Sequence, residues 1–332
     1  MKAKYKKEIA GFAIFLVVII LFVVFASRIF IPKRTNFGST WQQYLQEEQN
    51  SIDVLFFGSS ITYCDVVPAV IREQSGVSSY VMGGPEQTIP ISYYYIRETC
   101  KTQTPKMIFL EVTGAYFKQY QDFTKVNIGY MPWGKNRLDA TFAAAERSEW
   151  PGLFFPIYNY HGRWDSLEKA DFSYALMGYP ADDLAGYTFL NTAEEMTGIV
   201  PRGEEYNSEN YAKNLAYLQK IADFCNENDI KPVFYLAPTY WQLSQENLAR
   251  LKSDISAIPG VDFIDFNEAE GLAAYDGKTD FYDKLHFNCY GAEKFSAKLG
   301  QLLKNGYALP PTENSDAALW SQRLQKFSEL RG

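Results

Sequence analysis

The sequence IDVLFFGSSITYCD at residues 52–65 decides the fold. Its apolar run, Ile52–Phe57, is typical of a strand that is buried on both faces of a parallel sheet. Gly58 then permits a tight turn, and Ser59 and Ser60 stand where the strand passes into a helix. Ligands of open α/β sheets bind beyond the carboxyl ends of the strands, so a functional site is expected at these serines.

Four more short apolar runs predict the remaining strands. They are Tyr80–Met82, Met107–Val112, Pro232–Ala237 and Val261–Phe266. Apolar residues recur at helical spacing between and after these runs, as over residues 211–225 and 292–302. The alternation predicts a three-layer α/β/α fold with a doubly wound, parallel, five-stranded sheet of the flavodoxin type.

The third and fourth predicted strands are separated by more chain than one crossover helix needs. We expect residues 113–206 to form an insertion that packs over the crevice and shapes the substrate site. A surface elaboration without a role in recognition is the alternative. The α/β domain is then predicted to span residues 51–310, and residues 311–332 to form a terminal helix that docks through Leu319, Trp320 and Leu324.

The N-terminal segment predicts a membrane anchor. Residues 9–26 contain no polar or charged side chain, and a helix of about this length crosses a hydrocarbon core of ~30 Å. A cleaved signal peptide is the alternative, but its apolar region usually spans only ~7–15 residues. We therefore expect a cytoplasmic tail over 1–8, a single membrane span over 9–27, and a juxtamembrane linker with a helix over 28–50.

The charges of the chain are unevenly distributed. Residues 1–34 carry seven basic side chains and one acidic side chain, so the remainder holds a net charge of −13 within the total of −7. The acidic remainder of the chain favours an extracytoplasmic domain, with the N-terminus on the cytoplasmic side of the membrane. It also excludes nucleic acid as an expected partner, because phosphate binding needs a cationic face.

Three side chains from distant parts of the chain predict nucleophilic catalysis. Asp283 and His286 lie three residues apart in TDFYDKLHFNCYGAEKF, the segment that follows the last predicted strand. A carboxylate at this spacing can orient one imidazole nitrogen and leave the other free to take a proton from a hydroxyl. Ser60 is the matching nucleophile, since backbone N–H groups at a helix start can stabilise developing negative charge.

The blocks GSS near the start and DKLHFNCYGAEKF near the end resemble the SGNH (GDSL-type) hydrolase superfamily. More narrowly, they are similar to its membrane-anchored extracytoplasmic branch, which includes D-alanyl-lipoteichoic acid biosynthesis and alginate O-acetylation proteins. The resemblance covers about residues 50–115 and 205–305. It implies that Ser60 is the nucleophile and that Asp283 and His286 form its proton relay.

The resemblance also implies an oxyanion hole, where this chain departs from the family pattern. Gly83 in YVMGGPEQT matches the glycine of the second block, with Gly84 as the alternative, and its N–H joins that of Ser60 as a donor. The family's Asn after the third strand is missing from FLEVTGAYF, where Glu111 or Thr113 occupies the region. Thr113 is the candidate replacement, because losing one oxyanion donor typically costs ~10²–10³ in rate.

The same resemblance implies the substrate class and the partners. It implies an acylated cell-surface glycan as substrate and a membrane-bound O-acyltransferase as partner, with no cofactor and no metal. In the predicted insertion, FFPIYNYHGRW provides Arg163 for a polyhydroxyl or anionic group, and Tyr160 and Trp164 for stacking on sugar faces. Packing of these aromatic residues onto the sheet is the alternative.

Other functions are left open. A nucleophilic Cys289 beside His286 would lack the oxyanion setting, and a glycosidase would use paired carboxylates such as Glu111 and Asp283. A catalytically weak glycan-binding or assembly module would keep the fold without efficient turnover. The irregular spacing of Cys64, Cys100, Cys225 and Cys289, without a CxxC pair, argues against a zinc site. A domain of this size needs no disulfide for stability, which favours free thiols, and disulfide pairing in an exported domain is the alternative.

Overall fold

The sheet at the centre of the fold was predicted as five parallel strands, and the computed structural model confirms this fold class. The structure describes residues 2–202, 206–312 and 316–332. These contain the strands β1 (Val54–Phe57), β2 (Ser79–Val81), β3 (Met107–Glu111), β4 (Val200–Pro201), β5 (Lys231–Leu236), β6 (Trp241–Gln242) and β7 (Asp262–Asp265). The sheet order is β2-β1-β3-β5-β7, the doubly wound flavodoxin-like order, and β4 pairs with β6 in a separate ribbon.

Each strand of the central sheet lies within two residues of the apolar run that predicted it. Val54 pairs in parallel with Ser79 on one side and with Met107 on the other. Every residue of β1, β2 and β3 is buried, as expected when helices cover both faces of a parallel sheet. The edge strand β7 is only half-buried.

Helices connect the strands and flank the sheet. The α-helices of the described residues are α1 (Lys2–Phe30), α2 (Trp41–Tyr44), α3 (Ser60–Asp65), α4 (Pro68–Ser75), α5 (Ile89–Thr99), α6 (Thr124–Gly129), α7 (Lys135–Ala144), α8 (Trp150–Phe154), α9 (Pro156–Tyr160), α10 (Lys169–Met177), α11 (Ser208–Glu227), α12 (Gln245–Ser256), α13 (Ala269–Leu272), α14 (Cys289–Gln301) and α15 (Ala317–Arg331). Short 3₁₀ turns cover Thr113–Tyr116, Arg147–Glu149 and His161–Asp165, and a π-helical turn covers Leu302–Gly306.

Alternate residues of the strands point to opposite faces of the sheet. Phe56, Phe109 and Tyr235 join one apolar core with side chains of α3, α4 and α14. Their neighbours Leu55 and Leu110 are equally buried and belong to the other face. The chain on either side of Ser60 is therefore anchored by buried packing.

The predicted insertion over residues 113–206 does not form a single piece. Residues Glu146–Tyr179 join Met1–Arg34 in one compact unit, whereas the rest of the insertion belongs to the second unit, Thr35–Ala145 with Pro180–Gly332. Three parts of the sequence predictions lie outside the described residues. They are Met1 in the predicted tail, 203–205 in the predicted insertion and 313–315 in the predicted terminal helix.

The first unit is built on α1. Within the described residues, α1 is the one helix long and apolar enough to cross a membrane, and its apolar stretch is exposed. Helices α9 and α10 and the 3₁₀ turn His161–Asp165 contact it. The length and composition of α1 agree with the predicted membrane span.

Candidate active site

Ser60 is the first residue of α3, directly after the turn that ends β1. Gly58 in this turn has a φ of +149°, and a Cβ atom on it would lie 2.2 Å from Thr62 Oγ1 and 2.8 Å from Glu111 Cβ. Only glycine fits this conformation and this space. The turn therefore fixes Ser60 at the carboxyl end of strand β1, beside the central strand β3.

The structure brings Ser60, His286 and Asp283 together, as the sequence predicted for a proton relay. Ser60 Oγ lies 2.8 Å from His286 Nε2. His286 Nδ1 lies 3.0 Å from each carboxylate oxygen of Asp283. Because an ionised carboxylate only accepts hydrogen bonds, Nδ1 carries the proton and Nε2 is the acceptor for the Ser60 hydroxyl.

Asp283 is held as a carboxylate by its own loop. The backbone N–H groups of Leu285 and His286 donate to its Oδ1 at 2.7 and 2.9 Å. Burial by itself raises the pKa of this carboxyl, but the hydrogen bond and charge of the His286 ring and the two N–H donors outweigh burial. The net effect is a pKa below the usual range, so Asp283 stays charged at neutral pH.

The loop that carries His286 is a short hairpin. Phe281 and Phe287 form an antiparallel bridge, and the Tyr282 N–H donates to the His286 carbonyl at 2.9 Å. The carbonyl of Lys284 accepts from two backbone N–H groups of the segment after β5. The hairpin is thereby fastened to the segment that leads from β5 into β6, which helps to set the position of the imidazole ring.

Residues 187–196, in the later part of the predicted insertion, contact this hairpin and the residue at the start of α14. The Glu194 N–H donates to the Phe281 carbonyl at 3.0 Å, and the Cys289 N–H donates to the Leu190 carbonyl at 2.7 Å. This part of the predicted insertion therefore lies beside the hairpin, and its role in shaping the site stays a prediction.

Asp65 is a buried acid next to the site that the sequence reasoning missed. It ends α3, the helix that begins at Ser60, and its Oδ1 accepts from the Phe287 N–H at 2.9 Å. Burial raises the pKa of Asp65 well above its usual range, against the opposing effect of the Phe287 hydrogen bond. Asp65 therefore ties the helix of Ser60 to the loop of His286 by a contact with no local sequence signal.

Gly83 and Ser60 provide the backbone donors nearest to the predicted oxyanion hole. In the residues that the structure describes, neither N–H donates to another protein group. A Cβ atom on Gly83 would lie 3.1 Å from the carbonyl oxygens of Gly58 and Ser59, so its Cα faces the turn before Ser60. By contrast, the N–H of Gly84 donates to the Gly58 carbonyl at 3.1 Å, which leaves Gly83 as the better candidate.

Asn127 holds the Gly83 loop in place and was also missed. Its Oδ1 accepts from the Ser39 hydroxyl at 2.7 Å, and its Nδ2 donates to the Pro85 carbonyl at 2.9 Å. The Ser39 N–H in turn donates to the Gly83 carbonyl at 2.8 Å. Asn127 lies in α6, so only the folded chain brings it to this loop.

Thr113 does not take the place of the missing Asn in this structure. Its hydroxyl and its backbone N–H both donate to the buried carboxylate of Glu111. The hydroxyl proton is therefore already used in the contact with Glu111, and an oxyanion would have to compete with that side chain for it. The same contact explains why Glu111 is unsuited to the glycosidase alternative, since it is buried and faces Thr113.

Arg163, Trp164 and Tyr160, the predicted substrate-binding residues, belong to the unit built on α1. The guanidinium of Arg163 donates to the Phe30 carbonyl at 2.7 Å and pairs with Asp171 at 3.1 Å. Arg163 therefore serves the helix ends of its own unit, and Trp164 is largely exposed there.

The four cysteines are free thiols, three of them buried. Burial raises the pKa of Cys289, so its reactive thiolate form is disfavoured. Both ring nitrogens of His286 already have partners in Asp283 and Ser60. The arrangement gives no support to the Cys–His alternative.

Among the described residues, no group of His, Cys, Asp and Glu side chains is arranged to hold a metal ion.

No protein-family model matches the chain, and no curated protein matches its sequence. Among solved structures, a candidate acylhydrolase from Bacteroides fragilis NCTC 9343 is similar at 11% sequence identity with a TM-score of 0.41. That match covers 80% of this chain and 94% of the other. At this level of similarity, the geometry of the site is the basis for inferring a function.

Proposed function

We propose that this chain is a membrane-anchored, extracytoplasmic SGNH-type serine esterase or O-acyltransferase. The observation that supports this function is the continuous hydrogen-bond chain from Ser60 Oγ through the His286 ring to Asp283. A hydroxyl, an imidazole and a carboxylate in this order are the elements of acyl transfer by a serine nucleophile.

In the proposed reaction, Ser60 Oγ attacks the carbonyl carbon of an acyl ester while His286 Nε2 takes the hydroxyl proton. The carbonyl π electrons move onto oxygen, and the N–H groups of Ser60 and Gly83 stabilise the resulting oxyanion. The intermediate then collapses, the C–O bond to the alcohol breaks, and His286 gives its proton to the leaving alkoxide. Water or a sugar hydroxyl next attacks the acyl-serine and gives its proton to His286. The bond from the acyl carbon to Ser60 Oγ then breaks, and His286 returns the proton to Ser60.

Asp283 orients the ring and stabilises the imidazolium that forms in each step. Its pKa lies below the usual range, so it remains an acceptor and does not take the proton itself.

Acylated cell-surface carbohydrate is the proposed substrate class. Two exposed aromatic residues beside the His286 hairpin support this assignment. Tyr282 directly precedes Asp283, and the Trp241 N–H donates to the Lys284 carbonyl at 3.0 Å. Flat aromatic faces with a polar edge suit the partly apolar faces of sugar rings. A membrane-bound O-acyltransferase remains the proposed partner, as the sequence resemblance implies.

The test is acyl release from an O-acetylated polysaccharide by the full-length protein in detergent. We expect Ser60→Ala to abolish release and Ser59→Ala, its matched control, to retain it, because the Ser59 side chain makes no cap hydrogen bond. Equal release by wild type and Ser60→Ala would refute the proposal. Addition of a sugar acceptor distinguishes transfer from hydrolysis by the appearance of acylated acceptor.

A glycan-binding module with weak turnover is the second candidate. The contact between Thr113 and Glu111 favours it, because the third-strand position then provides no oxyanion donor. Glycan binding without acyl release, retained in Ser60→Ala, would favour this candidate over the enzyme.

A further inference from the structure

The surroundings of α1 change along its length. Residues 5–22 are exposed, whereas Val23 and Ala26 are half-buried and Ser27 is buried. Helices α9 and α10 and the 3₁₀ turn His161–Asp165 contact α1. At 1.5 Å per residue, the covered part from Val23 to Phe30 is about 10 Å long. It begins inside the apolar run that ends at Ala26 and continues beyond it.

Two ionic side chains fasten this contact. Arg163 donates to the carbonyl of Phe30, the last residue of α1, and pairs with Asp171. The carboxylate of Asp171 also accepts from the Glu168 N–H at 2.9 Å within the capping box of α10. Arg163 therefore links the two helices, by its hydrogen bond to the carboxyl end of α1 and its ion pair with the amino end of α10. This link holds α10 beside the last turns of α1.

The segment that packs there, residues 146–179, exposes an unusual set of large apolar side chains. Trp164 is 73% exposed and Met177 is 82% exposed. The others are Phe155, Tyr158, Phe172 and Leu176. Such a concentration on one short segment marks an interaction surface.

We propose that residues 146–179 form a second membrane contact, lying in the interfacial layer of the bilayer around the carboxyl end of α1. The proposal rests on the membrane anchoring proposed above. Whatever surrounds the last apolar turns of α1 must also surround the elements packed against them. If α1 lies in lipid, these elements meet the boundary between hydrocarbon and headgroups, where Trp and Tyr are enriched.

The occupant of this surface is thus lipid rather than a sugar or another protein. The assignment also accounts for Arg163 and Trp164 without a role in substrate binding. Arg163 organises the unit, and Trp164 provides an aromatic interfacial anchor.

The test uses tryptophan quenching in the full-length protein. It is reconstituted into phosphatidylcholine vesicles with bromine atoms near the headgroup end of the acyl chains. The emission of Trp164 is the difference between wild type and Trp164→Phe. Trp133, 57% exposed and in the other unit, gives the matched control through Trp133→Phe. Met177→Trp adds an independent probe on the same segment, and Leu21→Trp reports on α1.

We expect brominated lipid to remove most of the Trp164 emission and most of the emission gained in Met177→Trp, while the Trp133 emission is unchanged. Quenching of Leu21→Trp without quenching at positions 164 and 177 would overturn the interfacial contact but leave the anchor intact. No quenching in Leu21→Trp would overturn the anchor and the interfacial contact together, while acyl release would still test the esterase separately.

Discussion

The chain has two histidines, and their surroundings differ in kind. His286 has a carboxylate on one nitrogen and a serine hydroxyl on the other, and its side chain is mostly buried. His161 is exposed, and its Nδ1 lies 2.9 Å from the carbonyl of Tyr158. A backbone carbonyl can fix the ring but cannot stabilise an imidazolium as a carboxylate does. The hydrogen-bond partners of the imidazole ring, rather than the residue type, therefore distinguish a histidine suited to catalysis.

The largest expected effect comes from removing the reacting groups. We expect Ser60→Ala and His286→Ala each to lower kcat for acyl release by about 10⁶, because members of such a relay act as a unit. His161→Ala should retain wild-type kcat. A comparable loss in His161→Ala, measured by the same assay, would break the comparison between the two histidines.

Asp283→Asn tests whether the carboxylate partner is what distinguishes His286 from His161. The amide keeps the shape of the side chain but loses its charge and its preference for the correct tautomer, so kcat should fall by about 10⁴. Steady-state kinetics with circular dichroism as a folding control provide the measurement. Full activity in this variant would mean that His286 needs no charged partner.

Gly83→Ala probes the oxyanion side of the site. The added methyl group would press on the carbonyl oxygens of Gly58 and Ser59 at 3.1 Å, so the loop must shift slightly. Because a misplacement of about 1 Å costs about 10² in rate, this smaller shift should cost less than about 10². We expect kcat to fall with KM nearly unchanged. Gly162→Ala, where a Cβ atom meets nothing within 4 Å, is the matched control.

Asp65→Asn should alter the pH dependence of stability. The raised pKa means that folded Asp65 keeps a proton that the unfolded chain loses above about pH 4, so wild-type stability falls as pH rises from there. The slope is at most about 1.4 kcal/mol per pH unit. The variant lacks this titration. The difference between its thermal unfolding temperature and that of wild type should therefore shift in favour of the variant as pH rises. Parallel pH profiles would contradict the assignment.

Arg163→Lys gives the smallest expected effect and sharpens the contrast between the two regions. A lysine cannot replace both the Phe30 and the Asp171 contacts of the guanidinium, so we expect a stability loss of about 1–2 kcal/mol. KM for the glycan should not change. An increased KM with unchanged thermal stability would instead restore the substrate-binding role that the sequence suggested.

The sequence predicts the sheet and the Ser60–His286–Asp283 juxtaposition because both depend on local patterns. Buried parallel strands appear as apolar runs, and parallel topology brings their carboxyl ends to one edge. The roles of Asp65 and Asn127 depend on contacts with Phe287, Ser39 and Pro85 from distant parts of the chain. No local pattern predicts such contacts.

The predictions that the structure does not support have a similar origin. An Arg between aromatic residues has the same sequence whether it binds a sugar or caps a helix, and only the fold brings Phe30 to Arg163. Nothing in the sequence around Thr113 shows that the folded chain turns its hydroxyl onto Glu111. The insertion was predicted as one piece because its division between two units leaves no mark in composition.

The proposed function requires that His286 activates Ser60 for attack on a carbonyl. Peptide mapping by mass spectrometry after reaction with a fluorophosphonate tests it most directly. The account predicts a single phosphonylated serine, Ser60, in wild type and in His161→Ala, and no adduct in His286→Ala. An adduct on Ser59 or another residue, or undiminished modification of Ser60 in His286→Ala, would contradict it.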